Sequence, residues 1–156
     1  MILTTKQDFE NAILHGEEIK TQTVFYTGEL VKNKDTLDIG DYDKDKGIFA
    51  GYLHGKQVWV GMNDEPEQMT WYGAMKLEEA GRHVPTIDEL TLAYLHKDEI
   101  NQALIEHGGE AFKEDYYYWS SSECNDTSSW FLNMGSGNRY YNGKTYDYFE
   151  RCFQLL

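Results

Sequence analysis

Tyr116-Tyr117-Tyr118-Trp119-Ser120-Ser121-Ser122-Glu123 is the stretch on which the fold turns. Three tyrosines and a tryptophan in a row are strongly β-forming, because aromatic side chains suit a pleated, half-buried surface. Beyond it Trp130, Leu132 and Met134 alternate with Ser129, Phe131 and Asn133, the period of two expected of a strand. The chain then closes on Phe149-Glu150-Arg151-Cys152-Phe153. Gly135-Ser136-Gly137 and Asn142-Gly143 punctuate the run as turns. This part reads as an antiparallel sheet expected to bury Trp119, Trp130 and Phe153 on one face and to turn Ser129, Phe131 and Asn133 outward.

Upstream the signals are helical. Thr70 is placed to cap a helix over 71–80, and Gly81 stands where such a helix stops. Thr86-Ile87-Asp88-Glu89 is a capping box, in which the Thr86 hydroxyl accepts from the Glu89 amide while the Glu89 carboxylate reaches back; Pro85 stiffens the entry. Ile87, Leu90, Leu92, Tyr94 and Leu95 carry a second helix, and Ile100, Ala103, Leu104 and Ile105 a continuation ending at Gly108-Gly109. Earlier still, two β-rich runs, 47–52 and 57–61, are joined by Leu53-His54-Gly55-Lys56, which is hairpin chemistry. Strands, helices, strands is the order of an α+β domain over residues 47–156. Residues 1–46 read as an extension: a short amphipathic helix opening at Thr5 and ending near Gly16, bearing Phe9, Ala12, Ile13 and Leu14, a β-like Thr23-Val24-Phe25-Tyr26, and an acidic loop with Asp35, Asp38, Asp41, Asp43 and Asp45.

Composition narrows the function. The 156 residues hold 27 acidic against 14 basic side chains, a net charge of −13, so the surface repels phosphate and nucleic acid is not an expected partner. No apolar run approaches the roughly 18 residues of a membrane span, so membrane insertion is not expected either. The opening Met1-Ile2-Leu3-Thr4-Thr5 has neither a basic nor an apolar signal region, which favours a phage virion or cytoplasmic location. Two cysteines make no disulfide framework. The excess is aromatic: twelve tyrosines within a 15% aromatic content and only two prolines.

Met69-Thr70-Trp71 with Ala74-Met75, Gly81-Arg82-His83-Val84-Pro85-Thr86 with Glu89-Leu90, Tyr118-Trp119-Ser120-Ser121-Ser122-Glu123, Trp130 and Arg151-Cys152 together resemble the signature of bacterial and phage domains with a C-type-lectin-like fold. The resemblance spans about 47–156, and its C-terminal stretch is similar to the variable proteins of diversity-generating retroelements, whose final segment is rewritten codon by codon and displayed as a ligand-binding face. It implies antiparallel sheets around two or three central helices, a non-enzymatic receptor-recognition role, no cofactor, and a protein or glycan ligand on a host or neighbouring cell surface. A homo-oligomeric or virion partner is a further implied possibility, with the acidic N-terminal segment as a docking element. The family has Arg-Leu where His83-Val84 stand here, and an apolar residue where Glu150 stands, so Glu150 is expected at a sheet edge reaching water. A Glu123–Arg151 pair is expected from the same resemblance and from charge matching.

Between Glu123 and Glu150 the chain is dominated by Asn, Tyr, Ser, Thr, Asp and Gly, the composition of antibody combining loops, where Tyr offers a large amphipathic contact for two torsions and Ser, Gly and Asn adapt their hydrogen bonds. The candidate ligand-binding face is Asn125, Asp126, Ser129, Phe131, Asn133, Asn138, Arg139, Tyr140, Tyr141, Asn142, Tyr146 and Tyr148. Ordinary turn and strand chemistry is the plainer explanation of the same residues.

Two alternatives belong to other classes. Asp41-x-Asp43-x-Asp45 resembles a calcium loop, although Gly47 is one place late and Tyr52 sits where a bidentate Glu is needed. Glu65-Pro66-Glu67 and Asn125-Asp126 superficially resemble the calcium motifs of carbohydrate-binding lectins. Cys124 and Cys152 bring to mind the thiol pair of the formylglycine-generating enzyme, a relative by fold, while a buried thiol at Cys152 is the simpler expectation. The five histidines are scattered without ligand spacing, so no metal site is expected, and no nucleophile elbow, phosphate loop or His-linked triad appears.

Overall fold

The computed structural model describes residues 36–156 and the backbone of residues 24–26 and 29–31. By contact the chain divides into two units, Met1–Leu37 and Asp38–Leu156. In the first, β1 (Val24–Tyr26) pairs antiparallel with β2 (Glu29–Val31), Val24 opposite Val31. The helix expected from Thr5 to about Gly16 lies outside the described residues.

The second unit is α+β, with three helices and two antiparallel sheets. One sheet has the order β3-β4-β5-β9, from β3 (Tyr42–Asp43), β4 (Gly47–Leu53), β5 (Lys56–Val60) and β9 (Phe153–Leu155). The other is the meander β6 (Tyr117–Glu123), β7 (Ser128–Asn133), β8 (Arg139–Gly143). The acidic loop is thus partly strand: β3 pairs with β4, which places Asp41, Asp43 and Asp45 in the second unit.

Local chemistry explains the elements. The β4–β5 hairpin turns at His54 and Gly55 with φ of +50° and +77°, the two positive angles that a tight hairpin turn needs. Helix α1 (Trp71–Glu79) begins where Thr70 Oγ1 accepts from Gly73 N at 3.2 Å. The capping box opens α2 (Ile87–Leu95), with Glu89 N donating to Thr86 Oγ1 at 3.2 Å and Thr86 N to Glu89 Oε2 at 3.1 Å. Helix α3 (Lys97–Glu106) follows directly and ends before Gly108, φ +81°.

The main core lies between the two sheets and α2 and α3: Ile48, Val58, Val60, Leu90, Ile100, Leu104, Tyr118, Leu132 and Phe153 are all buried in it. A second cluster, Trp71, Trp119 and Phe131 with Met75 and Tyr148, lies on the other side of the meander. Two expectations are corrected here. Trp119 faces the Phe131 side while Trp130 faces the opposite side, because neighbours along a strand alternate. Phe153 belongs to the other sheet, beside Val60.

The ion pairs also differ from expectation. Arg151 is fully buried and donates through Nε to Asp64 Oδ1 at 2.6 Å and through Nη1 to Glu110 O at 2.7 Å, with its guanidinium 4.4 Å from the Phe112 ring. Asp64 also accepts from Tyr118 Oη at 2.9 Å and from Lys113 Nζ at 2.6 Å. Glu123 pairs instead with Lys144 Nζ at 2.5 Å, since Arg151 is drawn inward to a carboxylate 87 residues earlier. Glu150 is not at the surface: it is fully buried, and neither carboxylate oxygen has a hydrogen-bond partner. Burial first, then the nearby Glu65 and Asp64 charges, hold its carboxyl well above the usual range against the opposing Arg151 backbone N–H and Arg82, which favours the protonated form.

Candidate functional site

The register of the meander sorts the candidate residues between two faces. Trp119 lies opposite Phe131 and Phe131 opposite Tyr140; Tyr117 lies opposite Asn133, and Ser129 opposite Asn142. These share one face. Tyr118, Trp130, Leu132, Arg139 and Tyr141 share the other.

On the first face Phe131 is the hub of a ring cluster. Its centroid lies 4.5 Å from Tyr148, 5.1 Å from Tyr117, 5.8 Å from Trp119 and 5.8 Å from Tyr140. Both tryptophans are pinned by their indole N–H groups, Trp71 to Ser120 O and Trp119 to Met69 O, each at 2.9 Å. Tyr148 Oη accepts from Asn142 Nδ2 at 3.0 Å, which ties the segment after β8 to the sheet. The outcome is a layered site: Trp119 and Phe131 form a buried floor, while Tyr117 and Tyr140 stand above it 38% and 45% exposed. A shallow hollow along α1, lined by Trp71, Tyr72, Met75 and Lys76, adjoins the cluster through the Trp71 ring.

Lys144 braces this face. It is 4% exposed in its side chain, donates to Glu123 Oε2 and to Asp126 O at 3.0 Å, and lies 4.2 Å over the Trp71 ring. Its own carbonyl accepts from Trp71 N at 3.1 Å, so the end of β8 is locked to the start of α1. The serine run after Trp119 does what its hydroxyls suggest: Ser120 Oγ donates to Trp130 O at 2.6 Å, and Ser122 Oγ accepts from Ile87 N at 3.0 Å, satisfying the first turn of α2.

Of the candidate residues, Phe131, Tyr140, Asn142 and Tyr148 come together. Phe131 and Ser129 are buried rather than presented to solvent, because α1 and Tyr148 cover the face that alternation assigns to water. Asn133 sits on the same face but spends its Oδ1 on Gly135 N and Ser136 N in the β7–β8 turn. Asn138, in that turn, donates through Nδ2 to Tyr140 Oη at 3.2 Å. Asn125 caps the β6–β7 turn by accepting from Thr127 N and Ser128 N, with Asp126 exposed beside it. Arg139 and Tyr141 are on the opposite face: Arg139 pairs with Asp88 at 2.9 Å and Thr91 Oγ1 at 3.0 Å, and Tyr141 packs edge-on to Trp130 at 5.3 Å. Tyr146 is exposed in the turn beyond Gly143. Tyr117 and Lys144 were not among the candidates; Tyr117 stands two places before Trp119 and so shares its face, a signal present in the alternation itself.

The other constellations have local explanations. Asp43 Oδ1 accepts from Asp45 N at 2.9 Å and Lys46 N at 3.1 Å, which shapes the β3–β4 turn and lowers its carboxyl pKa. Glu65 pairs with Arg82. Among the described residues no group of three or more His, Cys, Asp or Glu is arranged to hold a metal. Both cysteines are free, Cys124 exposed and Cys152 buried, and burial pushes the Cys152 thiol up to about 12, against the thiolate a nucleophile needs. The chain matches no protein-family model and no curated protein.

Proposed function

We propose that the second unit is a non-enzymatic binding module on a C-type-lectin-like scaffold, similar to retroelement variable proteins, and that it presents Tyr117, Tyr140 and Tyr148 to a protein or glycan on a host or neighbouring cell surface. One observation carries this reading. Half-exposed tyrosines standing on a buried, hydrogen-bonded aromatic floor offer large contact area with few torsions left to freeze on binding. A surface with no ligand has little reason to keep such rings clustered and accessible. The exposed turn at Asn125 and Asp126 and the Asn142–Tyr146 segment flank the cluster, so ligand contact at these places leaves the floor unaltered.

The test is a glycan array and a phage-displayed library of short random peptides, each probed with the whole chain and with a Tyr117→Ala/Tyr140→Ala double variant. Ligands that bind the wild type and are lost in the double variant support the reading. Ligands held equally by both proteins, or none on either format, overturn it. Sequencing the gene's 3′ end across a population tests diversification separately: codons for Asn125, Asp126, Tyr140, Tyr141 and Tyr146 are expected to vary while those for Trp119, Phe131 and Arg151 stay constant.

A further inference from the structure

Among the described residues the meander has one open edge. On the β6 side the edge is closed, since Trp119 N donates to Phe149 O and Phe149 N to Tyr117 O, both at 3.0 Å. In the other sheet the β9 edge is capped where Phe153 N donates to His83 O at 2.9 Å, and β3 is only two residues long. Among the described residues no such cover lies along β8.

The ladder shows which groups β8 leaves free. Asn133 N donates to Asn138 O, and Lys144 N to Thr127 O, in the same register as Phe131 opposite Tyr140 and Ser129 opposite Asn142. Hydrogen-bonded pairs recur every second residue, so the main-chain groups of Tyr140 and Asn142 turn toward β7, and those of Arg139 and Tyr141 turn away from it. Gly143 N is taken by the Asn142 side chain and Gly143 O by Tyr146 N. Among the described residues nothing is hydrogen-bonded to the outward N–H and C=O groups of Arg139 and Tyr141. The strand carries no proline, its register with β7 is unbroken, and its one charged side chain, Arg139, is drawn to Asp88, so the edge stays regular enough to pair.

Side chains and charge identify the occupant. Tyr140 projects to one face of the edge and Tyr141 to the other, 45% and 60% exposed, so an added strand meets a tyrosine ring on each side. Asp126 and Asp147, exposed and without an ion pair among the described residues, stand near the Gly143 end, and the whole chain carries a net charge of −13. We infer that β8 accepts an extended polypeptide segment bearing Lys or Arg side chains, which adds to the sheet as a further antiparallel or parallel strand. Its main chain pairs with Arg139 and Tyr141, and its cationic side chains lie over the rings of Tyr140 and Tyr141 and reach the two aspartates. This assigns the ligand class and rests on the binding-face reading above.

The experiment uses the short-peptide library, panned on the whole chain. Enrichment in Lys and Arg is expected, with an alternating apolar pattern. The Tyr141→Pro variant deletes one outward N–H at a position where an edge strand tolerates proline, and is expected to bind the enriched peptides about tenfold more weakly, whereas Tyr141→Phe keeps its affinity. On the unaltered chain, adding an enriched peptide is expected to slow amide hydrogen exchange at Arg139 and Tyr141. Peptides that lack the basic bias, bind Tyr141→Pro as they bind the wild type, or leave those two amides unprotected overturn strand addition. If the same peptides are lost in the Tyr117→Ala/Tyr140→Ala variant, the binding face itself still stands. An absence of enriched basic peptides, with glycans bound through Tyr117 and Tyr140, likewise overturns this inference and not that reading.

Discussion

The two faces of the β6–β7–β8 meander have similar alternating sequences and different fates. On one, Tyr118, Leu132 and then Met134 are fully buried against α2 and the main core. On the other, Trp119 and Phe131 are equally deep, yet the cover is narrower: α1 and the Tyr148 segment shield the centre and leave Tyr117 and Tyr140 half in water. A strand's period of two separates the faces without saying which one is wet. That is decided by which other elements pack there, and on this protein each face is packed at its centre and open toward β8, where Tyr141 on the first and Tyr140 on the second stand in water.

The sharpest way to break this comparison is Phe131→Ala. If its face is a true second core, truncating the hub ring costs about 3–5 kcal/mol in urea unfolding, on the scale of other buried aromatic truncations. A loss below about 0.5 kcal/mol, typical of a surface change, returns that face to solvent. Leu132→Ala on the opposite face is expected to cost about 2–5 kcal/mol by the same measurement. Comparable values for the two variants establish that both faces are load-carrying cores.

A second contrast lies between two buried acids. Asp64 has Arg151, Lys113 and Tyr118 as partners, so its charge is compensated; neither Glu150 oxygen has one, and burial favours its protonated form. The native state therefore binds a proton at Glu150 that the unfolded chain releases above its ordinary carboxyl value, and stability falls as pH rises from there toward the elevated native pKa. His83 acts in the same direction. Its hydrogen bond to Glu89 Oε2 at 2.6 Å raises its pKa, so its contribution is complete below the unfolded value of 6.5 and is lost as pH rises through the folded one. Glu150→Gln removes one of these two protons. Thermal melts of variant and wild type are expected to differ least near pH 4 and to separate progressively toward pH 8, the variant being the more stable. A constant gap across that range refutes the protonated state of Glu150.

The smallest expected effect on stability is that of Tyr140→Ala, within about 1 kcal/mol, because the ring is half exposed and only one side of it is packed. Its effect on ligand binding is expected to be large. A protein that loses binding while melting almost as before locates the functional part of the face in its exposed tier, whereas equal losses in both place Tyr140 in the core.

Much of the scaffold was legible from neighbouring residues. The caps at Thr70 and Thr86, the helix stops at Gly81 and Gly108, the His54-Gly55 turn and the strands after Gly109 all depend on contacts within a few positions, so composition and spacing report them. Of the residues that composition singles out as a binding face, Phe131, Tyr140, Asn142 and Tyr148 lie together in one cluster. Three features depend on distant pairing and left no local trace: β9 beside β5, Arg151 on Asp64 rather than Glu123, and the orphaned carboxyl of Glu150.

The order of elements, the helix ends and the division of the meander into two alternating faces follow from the amino-acid sequence, because each is set by the conformational preferences of adjacent residues. Which tryptophans are buried together, which carboxylate meets the buried arginine, and which strand edge stays open emerge only when the elements pack. Burial and hydrogen bonding there are settled between residues tens of positions apart, and no local preference encodes such a partner.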